Sequence, residues 1–423
     1  MKTRYLNALF FTLIFCISCS TKQSLDTNSF SQEVFSLEDS YCEETRLIQV
    51  HLPNDYDESK KYPVIYVLDA QYRLFKNYIV STIDYLSGDE IPESIVVAIE
   101  TNDRSSGLIG GGRELFREFL SKKLIPHINS GYNTLNFNVL IGHSNSASFV
   151  LYTLFNDLGS DDFDGFIAFS PSIFPEEINL KSKKTNYLYF SYGSLGQSER
   201  LGENNAIGFT EKLKAGEQSH LKYKAEQFGN ASHNNIVSFS LLNSFLHVFD
   251  LWNFLSLEYR FLNDSTFHLL NELELKDKRL SKVLNKKTTL SSNVYNYVAN
   301  LYLSKNRISE AKNIIVRGLK KIDDDDEFKL YYTLTKILII ENKIDSALLT
   351  IDKSSASLDE DHIEFSYMKP MIEFYRVFLN ILKEKEEGKS IEKKVTILKE
   401  EISNSKLPNK GSFYEKEFSI YFK

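Results

Sequence analysis

The chain has 423 residues, of which 42% are hydrophobic, 25% charged and 13% aromatic, with 18 Gly and 8 Pro. That profile excludes a disordered or collagen-like chain, and the length suggests two or three units, each large enough to bury its own core. The net charge of −7, with no long basic run, argues against nucleic acid as a partner.

Lys2 and Arg4 open the chain, and an apolar stretch from Leu6 to Ile17 follows, ending in Cys16-Ile17-Ser18-Cys19. It is too short for a stable membrane span and has the shape of a secretory signal over residues 1–18. Ser18 directly before Cys19 resembles a bacterial lipoprotein cleavage box, in which the cysteine is lipidated and becomes the new N-terminus, although Cys16 stands where Leu is usual. An ordinary cleaved signal is the alternative. The lipoprotein reading puts the protein in the cell envelope, on the periplasmic or outer-membrane side, held to a membrane by a lipid anchor on Cys19. Cys42 is then the only free thiol, and the three cysteines lack both the number of a disulfide scaffold and the spacing of a zinc site. Residues 19–35 are polar and aperiodic, as expected of a tether.

Short apolar runs rich in β-branched and aromatic residues come next, at Arg46–Leu52, Pro63–Leu68, Ser94–Ile99, Asn138–Ile141, Gly165–Phe169, Tyr187–Tyr192 and Leu221–Phe228. Helical-period stretches lie between most of them, such as Leu115, Phe116, Phe119, Leu120, Leu124 and Ile125. This alternation predicts an α/β domain over 36–252 with a mainly parallel sheet.

From about Trp252 the strand signal stops and the chain reads as helix, with a connector over 253–290 and an all-α segment over 291–423. Tyr295, Val298, Ala299, Tyr302, Ala311, Ile315 and Gly318 fall at the intervals of a tetratricopeptide-like helix-turn-helix repeat. The pattern recurs 36 residues on at Tyr331, Leu334, Thr335, Leu338, Ala347, Ile351 and Ser354, with Asn306 and Asn342 in the matching turns. Two amphipathic hairpins without true repeat identity are the plainer reading. Stacked pairs of this kind leave a face free for a protein partner. The acidic run Asp323–Asp326 reads as a solvated loop and not a calcium site, which needs alternating oxygen ligands and a distal Glu.

The strongest chemical signal is Val139-Leu140-Ile141-Gly142-His143-Ser144-Asn145-Ser146-Ala147, an apolar strand running into a serine among small residues and then into a helix. That is the context of a nucleophile elbow, which holds the serine Oγ clear of the sheet beside a helix N-terminus. The usual pattern is Gly-x-Ser-x-Gly, and Ser146 takes the last place. A serine needs a base. His233 lies in a loop of small polar residues after the strand Leu221–Phe228, at the sheet edge where ligands of open α/β folds collect. His220 lies at the wrong edge, His247 lies inside a helix, and His143 reads as structural. For the acid, the loop after Tyr187–Tyr192 offers Glu199 as first choice and Glu203 as second, the latter expected to cap a helix starting near Asn204. A Ser/His dyad without an acid stays open. The oxyanion hole falls to the backbone N–H groups of Gln71, in the loop after Pro63–Leu68, and of Asn145. No metal or organic cofactor is implied.

Tyr62-Pro63-Val64-Ile65-Tyr66-Val67-Leu68-Asp69, Gly110-Gly111-Gly112 leading through Phe116 and Phe119 to Leu124-Ile125-Pro126, the elbow Gly142-His143-Ser144, Ser170-Pro171-Ser172 and His233 together resemble the Putative esterase family over about residues 36–250. That family of α/β hydrolases includes the enterobactin-type siderophore esterases and is related to esterase D and the mycolyltransferases. Some of its bacterial members also carry a C-terminal tetratricopeptide segment. The resemblance implies an α/β-hydrolase fold, nucleophile and base roles for Ser144 and His233, and an oxyanion role for Gln71. The chain departs from the family at Ala70, where Leu-Asp-Gly is usual, and at Asn145-Ser146-Ala147, where x-Gly-Gly is usual. The expected function is therefore a serine ester hydrolase acting on a small-molecule ester such as a siderophore lactone or an acylated sugar. Acyl transfer would use the same residues. The competing class is a non-catalytic lipoprotein scaffold built on a decayed hydrolase domain.

Overall fold

A computed structural model describes residues 31–404 except 40–43, 55, 89, 156–160, 181, 183, 217–218, 265 and 323–325. The expected signal segment, the cysteines Cys16, Cys19 and Cys42, and most of the acidic run Asp323–Asp326 lie outside the described residues.

Eight strands form one sheet: β1 (Ser31–Asp39), β2 (Glu44–Leu52), β3 (Tyr62–Leu68), β4 (Ile95–Ile99), β5 (Thr134–His143), β6 (Gly165–Phe169), β7 (Asn186–Leu195) and β8 (Leu221–Ser232). Their order is β1-β2-β4-β3-β5-β6-β7-β8. The pairs β1/β2 and β2/β4 are antiparallel and all others parallel. The expected strands are all present. β1 is an addition: Ser31–Asp39 begins inside the stretch expected to be tether and pairs along its whole length with β2. Phe35 and Leu37 of this edge strand pack on the core while Val34 stays exposed, so half its residues are spent on solvent and the apolar signal is thin.

The parallel strands are covered on both faces, which is why they read as continuous apolar runs. Val64, Tyr66 and Leu68 of β3 join one core with the helices α2 (Arg113–Phe119), α4 (Asn145–Phe155) and α5 (Gln197–Ala215). Ile65 and Val67 face the other, built on α1 (Arg73–Leu86) and α6 (Ile236–Val248). This is the three-layered α/β-hydrolase fold. The helix expected around Leu115–Ile125 is interrupted: α2 ends at Phe119, a single π-turn spans Leu120–Leu124 with the Ile125 N–H bonded to the Leu120 carbonyl, and α3 (Ile125–Gly131) follows. The wider turn keeps Leu120, Leu124 and Ile125 buried with Phe116 and Phe119, while Leu115 is turned out to solvent.

Beyond β8 every described element is helical: α7 (Leu255–Asn263), α8 (Leu269–Val283), α9 (Ser292–Ser304), α10 (Ile308–Gly318), α11 (Glu327–Ile340), α12 (Ile344–Ala356), α13 (Phe365–Glu386) and α14 (Glu392–Asn404). The helices pair in chain order as the hairpins α9–α10 and α11–α12. Asn306 and Asn342 stand in their turns with φ of 58° and 55°, a left-handed conformation that Asn tolerates better than most residues. A Cβ at Gly318 would sit 2.8 Å from the Tyr295 ring, so the small residue there lets α9 and α10 close. Among the described residues no helix is long and apolar enough to cross a membrane.

The helical half is locked to the sheet half by polar bonds. The Lys276 ammonium of α8, only 8% exposed, donates to the Asp250 carbonyl (2.7 Å), the Asp250 Oδ1 (2.8 Å) and the Asn253 carbonyl (2.7 Å). The Asn253 amide reaches Glu90 beyond α1 at 2.9 Å. Lys276→Met keeps the length of the side chain but leaves these acceptors short of a donor. It is expected to lower the unfolding free energy by about 1–3 kcal/mol, measured by denaturant titration.

Candidate functional site

The C-terminal ends of β3, β5 and β6 lie side by side in the sheet, and each runs into a non-glycine residue in the left-handed region: Asp69 (φ 65°), Ser144 (φ 63°) and Ser170 (φ 44°). At Ser144 this is the strand-to-helix turn expected of the motif. Gly142 permits it, because a Cβ there would lie 2.5 Å from the backbone of Ser146. The Ser144 N–H donates to the Phe169 carbonyl of β6 (2.9 Å), and the Ser144 carbonyl accepts the Ser148 N–H (3.0 Å) as α4 begins. The Ser144 Oγ shares a hydrogen bond with the Ser172 Oγ (3.2 Å).

His233 follows β8 directly and comes to the same sheet edge. Ser144 and His233 line one cavity of about 530 Å³ together with His143, Arg104, Tyr72 and Phe75. On its far side His233 meets Glu199, whose Oε1 accepts the ring Nδ1–H at 2.7 Å. Glu199 is 4% exposed, and its Oε2 accepts the Gly193 N–H at 2.6 Å. Burial pushes this carboxyl upward, but the hydrogen bonds from the His233 ring and the Gly193 N–H outweigh it and hold the group below the ordinary glutamate value. With Nδ1–H committed to a carboxylate, the His233 Nε2 is left as the basic nitrogen.

The rival carboxylate sits elsewhere. α5 starts at Gln197 and not near Asn204, so Glu199 occupies the first turn and Glu203 lies one turn further in. Glu203 accepts the Gln227 amide (2.5 Å) and the Ser194 hydroxyl (3.3 Å), and no ring of a histidine. Gly193 is what brings Glu199 close: a Cβ there would lie 2.3 Å from the Ala231 carbonyl oxygen and 3.2 Å from the Glu199 Cγ. Gly193→Ala should therefore force β7 and β8 apart beside the site and displace Glu199. The loss is expected in kcat, by roughly 10²-fold, with circular dichroism checking the fold.

The two residues expected to form the oxyanion hole follow the ends of the adjacent strands β3 and β5. Asn145 is the first residue of α4. Gln71 follows Asp69 in the loop after β3, with its side-chain amide clamped on the Thr101 backbone: Nε2 donates to the Thr101 carbonyl (2.9 Å) and Oε1 accepts the Thr101 N–H (3.0 Å).

The sequence alone did not single out Arg104 or Thr101, which lie in loops without periodicity, and it marked Ser172 only within the Ser170-Pro171-Ser172 motif of the resemblance. Arg104 forms a fork on Asp69, with Nε on Oδ1 and Nη2 on Oδ2 both at 2.9 Å, and Nη2 also donates to the His143 carbonyl (3.1 Å). His143 does more than fill space. Its Nε2 lies 2.7 Å from the His233 carbonyl and its ring centroid 4.7 Å from that of His233. Burial, with the neighbouring His233 charge second, lowers its pKa from 6.5 to about 4, so at neutral pH the ring is uncharged and donates Nε2–H.

A histidine held down in this way favours the fold in its neutral form. Its contribution is complete above the unfolded value near 6.5 and is lost as pH falls towards about 4. Unfolding free energies measured from pH 7 to pH 4 should fall by up to about 3 kcal/mol from this residue, and His143→Gln should flatten that part of the curve.

Among the described residues no cluster of His, Cys, Asp and Glu could hold a metal ion.

Residues 40–232 match the family model described as Putative esterase. No curated protein matches the chain. Among solved structures, an uncharacterised protein from Capnocytophaga ochracea is similar at 16% identity and a TM-score of 0.61, with 83% of this chain and 99% of that one covered. The match is longer than the sheet half alone, so it takes in helices of the C-terminal half as well. An IroE-like serine hydrolase from Shewanella oneidensis is similar at 22% identity and a TM-score of 0.50, covering 67% of this chain and 97% of that one. At these identities the two structures support the fold.

Proposed function

We propose that the protein is a serine ester hydrolase in which Ser144 is the nucleophile, His233 the general base and Glu199 the residue that holds the imidazole in its useful tautomer. One observation carries the reading: a buried, ionised Glu199 bonded to Nδ1 of a histidine that shares a cavity with a serine on a left-handed strand-to-helix turn. The Putative esterase match over residues 40–232 supports the same chemistry.

In this reaction the Ser144 Oγ attacks the ester carbonyl carbon while His233 Nε2 takes the hydroxyl proton. The carbonyl oxygen becomes an oxyanion, which the N–H groups of Gln71 and Asn145 would receive at the N-terminus of α4. Collapse transfers the proton to the leaving alcohol and leaves an acyl-Ser144. Water, deprotonated by His233, then releases the acid. Glu199 stabilises the imidazolium in both halves.

The substrate class is a small-molecule carboxylic ester. The aromatic and aliphatic wall of Tyr72, Phe75, Tyr78, Leu74 and Val237 beside Ser144 favours an ester with an apolar or aromatic portion. We further propose that a lipid on Cys19 holds the protein in the cell envelope, and that the tetratricopeptide-like helices offer a face to a protein partner while taking no part in bond breaking.

The test is steady-state hydrolysis of a short-chain activated ester. Ser144→Ala should lower the rate on the order of a million-fold and His233→Ala by a comparable amount. Glu199→Gln should cost roughly 10²- to 10⁴-fold, since an orienting acid contributes less than the base it serves, and Glu203→Gln should be close to neutral. More than a tenth of the activity left in Ser144→Ala would refute the assignment.

A further inference from the structure

Ser146 stands where a glycine is usual in the elbow, and its hydroxyl is fully buried and donates to Asp69 Oδ2 at 2.5 Å. Asp69 is 1% exposed and lies two residues before Gln71, and Ser146 lies one residue after Asn145. The bond therefore joins the two segments that carry the two oxyanion donors, the loop after β3 and the first turn of α4.

The rest of the Asp69 carboxylate is spent on the same alignment. Oδ1 accepts the Arg104 Nε, the Gln71 amide at 3.2 Å and the Thr101 hydroxyl, and Oδ2 accepts the Arg104 Nη2 as well as Ser146. Arg104 carries the tie on to the elbow through the His143 carbonyl. These partners fix three pieces: the loop after β4 through Thr101 and Arg104, the side chain of Gln71, and the start of α4 through Ser146. A glycine at 146 would leave that last piece without its own bond to Asp69. The backbone of Ser146 still packs on Gly142, as the turn requires, because the side chain leaves in the direction of Asp69.

From this we infer that Ser146 is a positioning residue for the oxyanion hole: its hydroxyl, through Asp69, sets the separation of the Gln71 and Asn145 N–H groups. The inference rests on the serine-hydrolase reading above. An oxyanion exists in the transition state and not in the bound ester, so a misplaced donor costs kcat and leaves KM in place. Displacements of about 1 Å are enough for losses near 10²-fold.

The experiment compares the full chain with Ser146→Ala and Ser146→Gly, using short-chain ester hydrolysis with active sites titrated by a fluorophosphonate, so that rates are per competent molecule. Both variants are expected to lose about tenfold to a hundredfold in kcat and in the rate of phosphonylation, with KM within about twofold. Should either fail to fold, Ser146→Cys keeps the side-chain size, exchanges the strong donor for a weak one, and reads the same loss. A glycine variant as fast as the native protein would overturn the inference, since the serine would then only be filling the glycine's place. So would a loss confined to KM. A native protein that is neither labelled nor active would overturn the hydrolase reading itself and this inference with it, whereas an active native protein with indifferent variants overturns this inference alone.

Discussion

The site depends on one backbone constraint: three adjacent strands of a parallel sheet end in left-handed, non-glycine residues, at Asp69, Ser144 and Ser170. Each such residue costs on the order of 1–2 kcal/mol and persists only where its surroundings over-determine it. The surroundings here are specific. The Ser144 N–H is taken by the Phe169 carbonyl, the Ser170 N–H by the Ser191 carbonyl, and the Asp69 carbonyl by the Tyr72 N–H. Behind these bonds stand two apolar cores that clamp the strands from both faces. Strain at three neighbouring strand ends is thus offset by burial in the sheet, and the loops that carry Gln71, Ser144 and Ser172 start from fixed points.

His233 and Glu199 reach this edge from the neighbouring strands β7 and β8, which run parallel to β6. The Gly193 contact with Ala231 sets how closely those strands approach, and the Glu199 carboxylate bridges the gap between the Gly193 N–H and the His233 ring. His143 closes the circle by holding the His233 carbonyl from the residue before Ser144. The two histidines therefore divide labour: one ring is kept neutral by burial and holds a loop, and the other is kept in one tautomer and faces the cavity.

Much of this was legible in the sequence because it rests on local rules. Apolar runs under two covering layers mark the inner strands, and the strand, the small-residue turn and the helix around Ser144 mark the elbow. What was hidden rests on long-range contacts. β1 shows little because an edge strand spends half its side chains on solvent. The start of α5 was placed too late because Gly202, Asn204 and Asn205 are weak helix formers, yet Ala206, Phe209 and Leu213 pack the helix down regardless. The pairing of Asp69 with Arg104 gave no signal, since an ion pair 35 residues apart between two loops has no period to detect. Ser146 departs from the motif, and its role lies in a bond to Asp69, 77 residues away in the chain.

In the proposed reaction Ser144, His233, Glu199 and the N–H groups of Gln71 and Asn145 act as one catalytic unit. A crystal structure of the protein inactivated by a phosphonate ester tests it most directly. The expected result is phosphorus bonded to the Ser144 Oγ, the phosphoryl oxygen within about 3 Å of both N–H groups, and the Glu199–His233 bond intact. An adduct on another residue, or a phosphoryl oxygen turned to solvent with Gln71 and Asn145 out of reach, would contradict it.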